Sequence, residues 1–341
     1  MTKRRVTLAL QGGGTHGAFT WGVLDRLLDE TTLDIQGISG TSAGAMNACA
    51  LAHGFREGRK GAQKALDDFW RSISDIGAAT FNPYQTTPLQ SLNRAWNMDW
   101  SPASIWLDVM AQFVSPYQLN PLDRNPLRDL IHDQFDFDYL QRDEAIRLFV
   151  CATNLRNNKL RIFNNAELTV DAILASACLP QVHRAVEIEG EFYWDGGFVG
   201  NPVLKPLIRV CQASDVMIVQ VNPMTRDSLP ITTKDIMDRL NEVTMNATLM
   251  RELDSIATIT RLVKEGVIKD ERYRPIFFHR IADPEMMSEL GVSSKNNTAW
   301  NFLTYLKDAG RLAADAWLAQ NSKKIGKEGT LDLNDFVIQS M

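Results

Sequence analysis

Twice before Gly54 the chain passes from a short apolar run, through a turn containing glycines, into a segment with helical spacing. Val6-Thr7-Leu8-Ala9-Leu10 reads as a buried first strand, Gly12 to Gly17 as the turn, and Phe19, Val23, Leu24, Leu27 and Leu28 as one face of a helix. Leu33 to Ser39 repeats the strand and Gly40 to Gly44 the turn, and Ala45 to Ala52 forms an alanine-rich helix closed by Gly54. Successive strand-turn-helix units of this kind predict an α/β fold with a mostly parallel sheet covered by helices.

Later segments extend the pattern. Leu148 to Thr153 and Leu160 to Phe163 read as strands, Val170 to Ala177 as a helix that stops at Pro180, and Val216 to Val221 as another buried strand. The sheet is therefore expected within the first two thirds of the chain, with a catalytic core over residues 6–225. Between about residues 81 and 126 the prolines Pro83, Pro88, Pro102, Pro116, Pro121 and Pro126 and the tryptophans Trp96, Trp100 and Trp106 break any regular period. That segment is expected to be a cap or insertion. Residues 226–341 read as mainly helical and packed on the core. One amphipathic helix is expected from about Asp235 to Glu265, with Ile236, Leu240, Val243, Ala247, Met250, Leu253 and Ala257 inward, and a second from about Thr298 to Ala319.

Bulk properties exclude several functions. A net charge of −5 gives no field that would gather polyanions, so no nucleic-acid partner is expected. The basic start before Val6 imitates a signal peptide, but Gln11 and three glycines cut the apolar run short. No run of about 18 apolar residues is present, so any membrane contact is expected to be peripheral. Cys49, Cys151, Cys178 and Cys211 are scattered among apolar segments without a Cys-x-x-Cys pair, which suggests buried free thiols in a reducing, cytoplasmic compartment. No metal-ligand cluster of the His-x-x-x-His or calcium-loop type is found, and no metal and no cofactor are expected.

Two turns carry chemistry. Gly40-Thr41-Ser42-Ala43-Gly44, between a strand and a helix, has the form of a nucleophile elbow, where Gly40 and Gly44 leave room for a sharp turn that lifts Ser42. The helix N-terminus behind it favours an anion. Gly12-Gly13-Gly14 follows the first strand, and its bare backbone suits a phosphate or a developing oxyanion equally well. Gly12-x-Gly14-x-x-Gly17 also fits a dinucleotide fingerprint, but Ile38-Ser39-Gly40 stands where that fingerprint needs an acidic residue. A third element is Trp194-Asp195-Gly196-Gly197, where an aspartate leaves a strand into two glycines.

Taken in order, the glycine loop, the elbow and the Asp-Gly-Gly element resemble the patatin-like phospholipase family. Ala175-Ser176-Ala177-Cys178-Leu179-Pro180 resembles that family's helix before the aspartate strand, and the similarity covers at least residues 6–221. The resemblance implies a three-layer α/β/α fold and lipid acyl hydrolysis by a Ser-Asp dyad. Ser42 matches the nucleophile, Asp195 the base, and Gly12, Gly13 and Gly14 the oxyanion-hole loop, with Gly17, Gly40, Gly44, Gly196 and Gly197 as supporting motif. The implied substrate is a lipid or other acyl ester. A carboxylesterase or polyester hydrolase with the same dyad, or an idle binding protein on the same fold, are the alternatives. The chain departs from the family in one place: Thr15 and His16 stand where an Arg or Lys is usual, which bears on headgroup recognition and leaves His16 to be examined.

Overall fold

The central strand owes its burial to neighbours on both edges and helices on both faces. In the computed structural model, which describes residues 3–79, 96–97, 114–142, 145–270 and 273–337, that strand is β1 (Arg4–Leu10). There follow α1 (Gly17–Asp29), β2 (Leu33–Gly40), α2 (Ala43–Phe55) and α3 (Gly58–Ala79), then α4 (Pro116–Leu119), α5 (Pro126–Gln134) and α6 (Phe137–Arg142). Next come β3 (Arg147–Asn154), β4 (Leu160–Asn164), α7 (Val170–Ser176), β5 (Val186–Ile188), β6 (Glu191–Asp195), α8 (Lys205–Val210) and β7 (Asp215–Val219). The described chain closes with α9 (Thr233–Lys264), β8 (Phe277–Ile281), α10 (Pro284–Ser288) and α11 (Trp300–Asn321).

The strands are ordered β5-β6-β3-β2-β1-β7-β8, with β4 also paired to β3. The pairs from β3 through β8 along this order are parallel, while β4 and β6 run antiparallel to β3 and β5 antiparallel to β6. This is the mostly parallel, helix-covered sheet expected from the sequence. It also extends further than expected, because β8 adds an edge strand after the long helix. His279 and Arg280 interrupt its apolar run and hide it from a pattern search. His279 is buried there because Nε2 meets Asp215 Oδ1 at 2.9 Å and Nδ1 meets Thr330 Oγ1 at 3.0 Å. On the outer side of β8, the amides of Thr330 and Leu331 both donate to the Phe278 carbonyl at 2.9 Å.

Phe302, Leu303 and Leu306 of α11 share one apolar core with Leu8, Leu10, Phe19 and Trp21. Helices α1 and α11 cross with backbone against backbone: a Cβ at Gly22 would collide with the Lys307 carbonyl, and one at Gly310 with the Phe19 carbonyl. The face of α11 agrees with the periodicity. The first half of α9 does not. Ile236 (48% exposed) and Leu240 (58%) face outward, while Asp238 (6%) and Glu242 (5%) face inward. The inward carboxylates are satisfied: Arg226 and Arg239 reach Glu242 at 2.6 and 3.1 Å, and Asp238 accepts the Val292 amide at 2.8 Å. Hydrophobic spacing has no term for such partners, so it places the inner face on the wrong side. Of the expected cap, Trp100, Trp106, Phe81 and Phe113 lie outside the described residues, and Trp96 packs on Phe302 and Tyr305 with ring centroids 5.1 and 5.4 Å apart.

The helix crossing gives a prediction. Glycine to alanine in an exposed helix interior stabilises by about 1 kcal/mol. Gly310→Ala should instead destabilise by about 1 to 3 kcal/mol, the usual cost of overpacking, as measured by urea unfolding.

Candidate active site

Strand register brings the two expected catalytic side chains to one height. Leu10 of β1 is level with Gly40 of β2 and Val219 of β7, so Gln11, Thr41 and Gln220 leave the sheet at the same end. Gly40 pairs with Val150 of β3, and Ala152, two residues on, pairs with Asp195. The antiparallel β6 thus delivers Asp195 just beyond the end of β2, where Ser42 begins the turn into α2.

Ser42 sits at φ 54° and ψ −124°, a left-handed conformation that costs an L-residue on the order of 1–3 kcal/mol. The turn is held from several sides. The Ser42 amide donates to Ser176 Oγ at 2.9 Å, and the Thr41 hydroxyl donates to the Gly200 carbonyl at 2.7 Å. Gly40 and Gly44 lie where side chains would strike the turn or the end of β1. Gly17 faces Ala43 and Trp70, and Asn47 ties α1 to α2 by donating to the carbonyls of Gly17 and Ala43, each at 3.0 Å.

Asp195 is buried, and burial pushes its carboxyl up to about 6; the Gly197 amide, the Ser42 hydroxyl and the Lys295 ammonium each pull it partly back. The Gly197 amide donates to Asp195 Oδ1 at 2.7 Å, an approach that a side chain at Gly197 would obstruct. Gly196 is packed against Cys151. A carboxylate that binds its proton near neutrality, beside a hydroxyl, is suited to general-base work.

The glycine loop is more committed than its bare sequence suggests. The Gly12 amide donates to Asn201 Oδ1 at 2.6 Å, and the Gly12 carbonyl accepts from Asn222 Nδ2 at 2.8 Å. The Gly12 amide, expected to face an oxyanion, is therefore occupied. The amides of Gly13 and Gly14 donate to no described residue. Gly14 has φ 58°, which glycine alone adopts freely. Behind the loop stands a buried amide cluster. Gln11 Oε1 accepts the amides of Val221 and Asn222 at 3.0 and 2.9 Å, and its Nε2 donates to Asn246 Oδ1 at 2.8 Å. Asn246 in turn donates to the Pro223 carbonyl at 2.9 Å.

His16 reaches the wall formed by residues 291–297. Its Nε2 lies 2.8 Å from Ser294 Oγ, whose proton goes to the Gly291 carbonyl at 2.7 Å. The hydroxyl must then accept, which assigns the His16 proton to Nε2. Burial, and secondarily Lys295, hold His16 well below the usual histidine range and keep it neutral.

Lys295, Asn222, Asn246, Asn201 and Ser176 were not singled out as site residues from the sequence. Gln11 and Asn222 did leave a signal, each being a polar residue that follows an apolar strand at the same sheet end. Lys295 left none. Among the described residues no group of three or more His, Cys, Asp or Glu side chains is placed to hold a metal ion, and no helix is long and apolar enough to cross a membrane.

A family model described as patatin-like phospholipase matches residues 8–208. A search of curated proteins found no match. Among solved structures, VipD from Legionella pneumophila is 15% identical with a TM-score of 0.36, the alignment covering 98% of this chain and 79% of that one. A chain of the complex of full-length SpcU with full-length ExoU, from the type III secretion system of Pseudomonas aeruginosa, is 15% identical with a TM-score of 0.29, covering 98% and 76%.

The Asp195 environment gives a second prediction. Its folded carboxyl binds a proton near 6 instead of 3.8, so the folded state loses about 3 kcal/mol as pH rises from about 4 to about 6, and that loss persists above. Asp195→Asn, whose amide oxygen can still accept from Gly197, should therefore be about 1 to 3 kcal/mol more stable than the parent at pH 7.5 and no more stable at pH 4. Urea unfolding of both proteins at the two pH values measures this.

Proposed function

The chain belongs to the patatin-like phospholipase family, and from that premise we propose that it hydrolyses a carboxylic ester of a lipid through an acyl-Ser42 intermediate. The observation that carries this reading is the buried Asp195 carboxyl, raised to about 6 and brought by register to the strained Ser42 elbow. In the ionised form Asp195 takes the Ser42 hydroxyl proton while Oγ attacks the ester carbonyl carbon. The oxyanion is held by the amides of Gly13 and Gly14, with the N-terminus of α2 behind Ser42 adding its dipole. Collapse breaks the ester C–O bond, and Asp195 returns the proton to the leaving alcohol. In the second half Asp195 takes a proton from water, the hydroxide displaces Ser42 from the acyl group, and Ser42 regains its proton.

The catalytic core in this reading is residues 6–225, with the described part of residues 226–341 packed on it and residues 291–297 forming the wall behind the glycine loop. All four cysteines are free and buried, which fits a reducing, cytoplasmic setting from which a membrane lipid would be met peripherally.

A fluorophosphonate should label the protein at Ser42 and leave Ser42→Ala unlabelled; labelling that survives in the variant moves the nucleophile elsewhere. Turnover should fall about 10² to 10⁴-fold in Asp195→Asn. In the parent, kcat/KM should fall as pH drops through about 6, because the base must be ionised. His16→Gln should stay within about tenfold of the parent on a soluble ester, since a neutral histidine bonded to Ser294 takes no proton from Ser42. A loss as large as that of Asp195→Asn would make it part of a triad. Mass spectrometry of products from phospholipids, lysophospholipids and short neutral esters identifies the ester class.

A further inference from the structure

A cation stands beside the glycine loop. Lys295 belongs to the 3₁₀ turn Val292–Asn296, outside the matched residues 8–208. Its Nζ donates to Asn222 Oδ1 at 2.7 Å and to Asn241 Oδ1 at 2.6 Å. Asn222 passes the contact on: its Nδ2 donates to the Gly12 carbonyl at 2.8 Å. The same turn grips the loop in other ways. The Thr15 hydroxyl donates to the Ser294 carbonyl at 2.9 Å, His16 bonds Ser294 Oγ, and a Cβ at Gly14 would lie 2.5 Å from the Lys295 carbonyl.

We propose that Lys295 is the positioning cation of the oxyanion loop, acting through Asn222 on Gly12 and through space on the dyad. The proposal rests on the Ser42–Asp195 reading. Polarised by the ammonium, Asn222 fixes the Gly12 carbonyl, and with Asn201 holding the Gly12 amide, the next two amides remain without a described partner. A positive charge at this place also favours both the ionised Asp195 and the oxyanion.

The charges around Lys295 come from every neighbouring element. Glu242 and Asp238 face it from α9, Asp195 from the end of β6, and neutral His16 from the loop. Glu242 is already paired to Arg226 and Arg239, and Asp238 to Lys234. Burial outweighs these attractions and brings the Lys295 ammonium down to about 8. Activity should therefore fall as pH rises through about 8, where Lys295 loses its proton, as well as when pH drops and Asp195 gains one.

The test is the pH profile of kcat/KM for a short soluble ester, with fluorophosphonate labelling of Ser42 as the control. Lys295→Met should keep the fold and KM within about threefold, lower kcat about 10- to 100-fold, lose the alkaline limb and move the acid limb to higher pH. Asn241→Leu keeps the lysine but removes one acceptor, so its alkaline limb should move to lower pH. A parent without an alkaline limb, a Lys295→Met profile of unchanged shape, or an unmoved limb in Asn241→Leu overturns the proposal. If Lys295→Met does not fold, the parent and Asn241→Leu profiles decide. Failure with Ser42 still labelled refutes the role of Lys295 alone, whereas absence of Ser42 labelling refutes the dyad reading beneath it.

Discussion

The Gln11 carboxamide is the splice on which the candidate site depends. Its oxygen receives two amides from the chain leaving β7 and its nitrogen reaches Asn246 on α9, so three distant segments share one side chain at the end of β1. Fully paired buried amides are rigid because each broken bond would leave a polar group without water. The glycine loop that starts at the next residue inherits that rigidity while having no side chains of its own to supply it. A glycine loop alone is entropically loose. Anchored at Gln11, clamped at both polar groups of Gly12 and backed by the turn at Ser294, it becomes a defined surface.

How much was legible in the sequence follows from how local each signal is. The elbow around Ser42, the glycine loop and the Asp195-Gly196-Gly197 turn are short runs whose chemistry is written in adjacent residues, and the strands leading to them have simple apolar patterns. The register that brings Asp195 level with Ser42 is not local, because it passes through β3, and only the family resemblance anticipated that meeting. Lys295 meets Asn222 from 73 positions away, and Asn222 meets Gly12 from 210. Nothing beside Lys295 marks it. Helix α9 failed for a related reason: in its first half the inward face is polar and satisfied by arginines and backbone amides, so counting apolar residues selects the opposite face.

The site tolerates charge by shifting its groups toward neutrality. Asp195 and His16 are buried and Lys295 is partly buried, and loss of water moves each toward its neutral form. His16 yields completely. The Gly197 amide, the Ser42 hydroxyl and then Lys295 draw Asp195 partly back, and Glu242, Asp238 and then Asp195 do the same for Lys295, so both stay near the neutral range.

The sheet's two rims have a bearing on solubility. At one rim β5 is only three residues long, and at the other the Phe278 carbonyl of β8 is occupied by the amides of Thr330 and Leu331. A bare rim is a template on which another chain's strand can add. The strap around Thr330, tied down through Asp215 and His279, therefore acts as a guard against intermolecular pairing. A proteolytic nick near Gly329 would leave the core intact yet open the β8 rim to strand addition by a second copy of the chain.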